Sequence, residues 1–193
     1  MRARRVKGLQ PGMALADAGA RIVRVRLDEL HGFMPRARDP QQVRALHDMR
    51  IAAKRLRYAL EVVGPCFGAY AGTAVDHVKE LQDLLGEIHD CDVMLPRVLD
   101  HLEQLRTQDA GELRRAAGGA ADLAPELAGR APGRTAYRGL VTLAVWLQAR
   151  RELLFARFDE RWSELERKGF RARLQYALDE RPGADTMAAA DDA

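Results

Sequence analysis

Apolar residues recur every three or four positions along most of this chain, the period of a helix, and nowhere alternate with polar ones as a half-buried strand requires. From Met13 to Met34 the stripe is Ala16, Ala20, Val23, Leu27, Leu30 and Met34, and Pro35 is expected to close this first helix. A second helix is signalled by Asp39 as cap, Pro40 at the first helical position and Gln42 at capping-box spacing. It runs through Leu46, Met49, Ala53, Leu56, Leu60 and Val63 and stops at Gly64-Pro65. A third covers roughly 69–88, through Val75, Val78, Leu81 and Leu85, and a fourth runs from near Asp90 to near Arg106, with Pro96 close enough to its start to be tolerated. Residues 109–134, rich in Ala, Gly and Pro, read as a long connection holding one short helix. A long helix from about Tyr137 to Lys168 keeps Leu140, Leu143, Leu147, Leu154, Phe158, Trp162 and Leu165 in register, and Gly169 breaks it. A short helix over 170–180 and a disordered tail over 181–193 complete the expectation, with residues 1–12 as a flexible basic arm. Short loops between the first four helices make them antiparallel neighbours. The fold expected is all-α: one domain over 13–180, an antiparallel bundle of four to six helices with a basic groove.

Composition agrees with that class. The 193 residues are 47% hydrophobic but only 6% aromatic, which favours helix packing over sheets. The formal net charge of +3 is too small to argue for any partner, so the placement of charge has to carry the case. Cys66 and Cys91 lack metal-ligand spacing and read as two buried, reduced thiols. Gly8, Pro11 and Gly12 interrupt the chain after its basic N-terminus, so no signal-peptide core forms, and no stretch approaches the roughly 20 apolar residues of a membrane span. A cytoplasmic protein without membrane attachment is expected.

The second helix carries the most informative charges. At about 100° per residue, His47, Arg50, Lys54 and Arg57 fall within roughly one quarter of the circumference, directly beside the apolar stripe. Between positions 44 and 57 only Asp48 is acidic, and it points to the far side. A basic run is commonly just a solvated face, but solvated helices normally interleave Glu with Lys for i,i+4 support. Arg24 and His31 each follow a core position of the first helix by one residue, and Arg150, Arg157 and Arg161 flank one edge of the long helix's stripe. If these edges face one another they form a cationic channel suited to a chain of phosphates, because Arg forks match phosphate oxygens and Lys adds point charge.

The run LHDMRIAAKRLRYALEVV, Leu46 to Val63, resembles the central motif of CHAD domains, the conserved-histidine α-helical family. VKELQDLLGEIHDCDVML, Val78 to Leu95, resembles the family's second motif, and the likeness covers roughly residues 13–106. The resemblance implies a helical bundle that binds inorganic polyphosphate on a basic surface and, in some members, associates with polyphosphate granules. Carried over by position, the basic residues are His47, Arg50, Lys54, Arg55 and Arg57, with Lys79 from the second motif; Arg55 lies off the stripe described above. CHAD domains usually hold two such repeats, whereas no second His-x-x-Arg…Arg-x-x-Arg run occurs after residue 107 here. A shorter groove, or a homodimer that rebuilds the double arrangement, is the consequence expected.

Other chemistry is weaker. The dipeptides His47-Asp48 and His89-Asp90 could suggest a metal-dependent phosphohydrolase, but adjacent helical residues point about 100° apart and no His-x-x-x-His or Glu-x-x-His pair adds ligands. Asp90 is expected to cap a helix. Glu164-Leu165-Glu166-Arg167-Lys168 matches the Glu-x-Glu-x-Lys pattern of triphosphate tunnel enzymes, yet on a helix Glu164 and Glu166 point about 200° apart. The acidic set Asp83, Glu87, Asp90 and Asp92 suits pairing with Arg on a neighbouring helix, and Trp146 and Trp162 read as core. The reading is a non-catalytic polyphosphate-binding module using His47, Arg50, Lys54, Arg55, Arg57, Lys79, Arg24, Arg150 and Arg157, with no cofactor and no metal. Nucleic acid ranks below polyphosphate as a partner, because only Tyr58 borders the face as a stacking aromatic. The alternatives are a nucleic-acid-binding helical module and a metal-dependent hydrolase.

Overall fold

The computed structural model describes residues 2–180, so the expected tail over 181–193 lies outside them. Among the described residues there are six α-helices and no strand: α1 (Leu15–His31), α2 (Met34–Ala37), α3 (Val43–Val63), α4 (Tyr70–Ala116), α5 (Arg134–Arg167) and α6 (Phe170–Ala177). Two compact units divide them, one made of residues 2–89 and 154–180, the other of Asp90–Leu153.

The first unit is a helical bundle whose core follows the apolar stripes. Leu46, Met49, Ala53, Leu56, Leu60 and Val63 of α3 are all buried, together with Val23, Leu27 and Leu30 of α1. Val78, Leu81, Leu85, Phe158, Trp162, Leu165, Phe170 and Leu174 complete it. α1 runs antiparallel to α3 and approaches it closely at one point. A Cβ on Gly19 would stand 2.9 Å from that of Val63, so only glycine fits there. Gly169, at φ 69°, supplies the left-handed turn between α5 and α6. The arm before α1 is tied down. The Arg4 backbone N–H donates to the carboxylate of Glu29, a buried acid that also pairs with Arg26 at 2.5 Å, and Arg26 donates to the Arg4 carbonyl at 3.1 Å.

The second unit pairs residues 90–116 of α4 with residues 134–153 of α5 around Cys91, Val98, Leu102, Ala144 and Leu147. Asp92 and Arg151 form an ion pair at 2.5 Å, both largely shielded from water. Buried Asp109 accepts the Gly133 N–H at 2.9 Å and the Tyr137 hydroxyl, anchoring the connection to the start of α5. That hydrogen bond raises the Tyr137 pKa.

Several boundaries differ from expectation. The third and fourth helices are one helix of 47 residues, with Pro96 inside it and Asp90 as an interior residue rather than a cap. Proline removes one backbone hydrogen bond, but the stripe Leu81, Leu85, Ile88, Cys91, Val98, Leu102 passes through it unbroken, and packing decides. The same helix extends to Ala116, shortening the connection, where a 3-10 segment occupies Pro125–Arg130. Pro35 opens α2 instead of closing α1, which ends at His31. Asp39 does not cap α3. Its carboxylate accepts the Gln41 N–H at 2.9 Å in a turn before Gln42, the N-cap residue. Trp162 is core, but Trp146 is 55% exposed and Leu143 39%, since both sit beside the buried Ala144–Leu147 stripe rather than on it. Both cysteines are free, and only Cys91 is buried; Cys66 is half-exposed in the Gly64–Cys66 turn.

Candidate functional site

Helix α3 presents its basic stripe as the periodicity predicts, because the buried positions beside it fix the helix's rotation. Arg50 is half-buried, with its Nε shielded and without a hydrogen-bond partner among the described residues. Lys54 is exposed, its ammonium 5.5 Å from the Tyr58 ring centroid. The Arg57 guanidinium lies 4.9 Å from the same centroid and 3.6 Å from Glu61. Glu61 is an acid on the same face, outside the basic run at positions 44–57. It lies fourteen residues from His47, and about 100° per residue returns it to the middle of the stripe. Arg55 is half-buried on the side of the helix away from the stripe.

His47 meets His89 of α4, Nδ1 to Nδ1 at 3.3 Å, with ring centroids 4.5 Å apart. The histidines of the two His-Asp dipeptides therefore come together, although each dipeptide alone could not supply a site. Two neutral imidazoles in this contact need one ring as donor and the other as acceptor, so their tautomers are coupled. Among the described residues no group of three or more His, Cys, Asp or Glu is arranged to hold a metal ion. The contact also sets a register. With α3 and α4 joined by a short connection, Lys54 stands level with Gln82 and Arg57 with Lys79, each helix rising about 1.5 Å per residue. A Cβ on Gly86, level with Arg50, would meet nothing within 4 Å, so this edge of α4 is open.

Within the first unit, the other predicted cations do not join one furrow with α3. Arg24 pairs with Asp179 at 2.7 Å and His31 packs against Trp162 and Phe170, so that edge of α1 faces the α5–α6 end. Burial lowers the His31 pKa, with a smaller push from Arg171, which favours the neutral ring. Lys79 and Arg157 share a cleft of about 330 Å³, but with Asp76, Glu80, Asp83 and Glu87. Four carboxylates against two cations make that cleft acidic, and the expected pairing of the acidic set with Arg holds there only in part. Arg161 is engaged by Glu80 at 2.7 Å, Glu164 at 2.5 Å and His77 at 2.9 Å. Lys168 and Arg161 together pull the Glu164 pKa down to about 2. Arg150 belongs to the other unit, where its guanidinium lies 3.6 Å from Cys91 Sγ and 5.5 Å from the Trp146 centroid. Charge periodicity located these cations but not the acids on neighbouring helices that neutralise them.

No helix among the described residues is long and apolar enough to cross a membrane. No curated protein and no solved structure matches the chain. The family model of the CHAD domain matches residues 3–99, about half of the 193, and that span contains α1, all of α3 with its basic stripe, and both members of the histidine pair. The chain belongs to the CHAD domain family.

Proposed function

We propose that this protein binds inorganic polyphosphate on the α3 face without turning it over, in keeping with a family known for polyphosphate-related proteins of phosphate metabolism. The observation that carries the reading is the stripe His47, Arg50, Lys54 and Arg57. Arg50 and Lys54 have no carboxylate partner among the described residues, and the neighbouring edge of α4 is open at Gly86. Two unneutralised cations about one helical turn apart, with a third beside them, suit a flexible polyanion whose phosphates repeat along its length. Arg24, Lys79, Arg150 and Arg157 contribute less in this reading, since each is paired, packed inward or surrounded by acids. The same proposal places the protein in the cytoplasm, acting wherever long polyphosphate accumulates, granules included.

The test is a titration of long-chain polyphosphate against the wild type, Arg50→Glu and Lys54→Glu. Losing a charge-assisted contact lowers affinity at least about tenfold in each variant, with circular dichroism unchanged. Equal affinity in both variants removes the site. Orthophosphate release, with and without a divalent metal, is expected to be absent; sustained release that is lost in His47→Ala would replace the binding role with catalysis. Nucleic acid is the competing partner. Tyr58 is exposed on this face, but its ring is already engaged by Lys54 and Arg57. RNA at matched phosphate concentration is therefore expected to compete poorly with polyphosphate.

A further inference from the structure

Where α1, α5 and α6 meet in the first unit, a cavity of about 370 Å³ opens beside the core, and the α3 stripe takes no part in it. Its walls include the rings of His31, Trp162 and Phe170. His31 stands edge-on to Trp162, with centroids 4.9 Å apart, and nearly parallel to Phe170 at 6.3 Å. Two polar atoms of these walls, His31 Nε2 and Trp162 Nε1, are shielded from water and have no hydrogen-bond partner among the described residues. Folded proteins rarely leave such atoms unpaired. The rim is charged but balanced. Glu166 pairs with Arg38 at 2.8 Å, and Arg171 pairs with Asp28 at 2.6 Å.

We propose that this cavity is a binding site for a small, neutral aromatic compound carrying a hydroxyl group. Its volume lies at the lower end of the range for small-molecule sites, room for roughly two fused rings. Three aromatic walls favour a flat guest, because rings gain most from offset-stacked and edge-on contacts with other rings. A charged guest is disfavoured. An anion meets Glu166 and a cation meets Arg171, while the favourable charge on the rim is already held by its own partner. Neither ion would recover the hydration it gives up. Burial favours the uncharged ring of His31, so that wall adds no charge of its own. A hydroxyl both donates and accepts, and so can pair with the His31 nitrogen in either tautomer and with the indole N–H of Trp162.

This inference is independent of polyphosphate and is tested without it. Calorimetric titration of the full chain with β-naphthol is expected to show saturable binding with a Kd below about 1 mM. β-Naphthoate and β-naphthylmethylammonium, similar in shape but charged, bind at least about tenfold more weakly. Ala172→Phe adds a ring to the cavity wall and abolishes binding at unchanged helicity. His31→Phe keeps the aromatic wall but removes the nitrogen, and weakens β-naphthol about fivefold. Lys54→Glu, on the α3 face, leaves the affinity intact. No saturable binding of β-naphthol, equal or tighter binding of either charged probe, or an affinity unchanged in Ala172→Phe or in His31→Phe overturns the proposal.

Discussion

His47 of α3 and His89 of α4 meet through their Nδ1 atoms at 3.3 Å, and this contact fixes the register between the basic stripe and the helix beside it. If the pair positions the stripe, the two rings act as one unit. His47→Ala and His89→Ala are then expected to weaken polyphosphate binding by similar amounts, and the double variant to lose little more than either. The coupling energy of contacting residues is about 0.5–3 kcal/mol, and a calorimetric double-mutant cycle measures it. Strict additivity would separate His89 from the site.

Asp92 and Arg151 form an ion pair at 2.5 Å, with 8% and 13% of their side chains exposed. Asp92→Ala removes one partner of a largely buried guanidinium and is expected to lower stability by more than a surface pair would. Asp92→Ala with Arg151→Met removes both charges and regains most of that loss. Urea unfolding of the three proteins decides the matter.

Gly19 packs where a Cβ would lie 2.9 Å from Val63 Cβ. Gly19→Ala therefore destabilises by about 1–3 kcal/mol despite alanine's better helix propensity. Adding Val63→Ala relieves the clash, so the double variant loses less than the sum of the singles. Thermal unfolding reads this directly.

Burial lowers the pKa of both His31 and His77, and Arg171 and Arg161 push in the same direction. The unfolded chain therefore binds more protons than the folded one between the lowered values and the ordinary histidine value of 6.5. Stability rises with pH through that window and is lost as pH falls through it. His31→Phe keeps the ring contacts with Trp162 and Phe170 and is expected to flatten the dependence of Tm on pH. An unchanged slope would remove His31 as a contributor.

The α3 stripe was legible because every apolar position that fixes its rotation is buried as the period requires. The continuity of α4 was not. Asp90 and Pro96 are local signals for a break, and the stripe from Leu81 to Leu102 outweighs them only through tertiary packing. Trp146 misled for the opposite reason, as a large apolar residue one position off the buried stripe. The meeting of His47 with His89 needed the register of two helices 42 residues apart in sequence, and so did the carboxylates around Lys79 and Arg157. Single-helix periodicity contains neither.

In the proposed binding mode Arg50, Lys54 and Arg57 neutralise phosphates of a bound chain. The most direct measurement is the affinity for long polyphosphate at 50 and 200 mM salt, for the wild type and for Arg50→Gln with Lys54→Gln. With about three contacts at roughly 0.7 log units per log unit of salt, wild-type affinity falls about 20-fold, and the double variant binds more weakly with a visibly shallower slope. Equal affinity and equal slope in the two proteins would contradict the account.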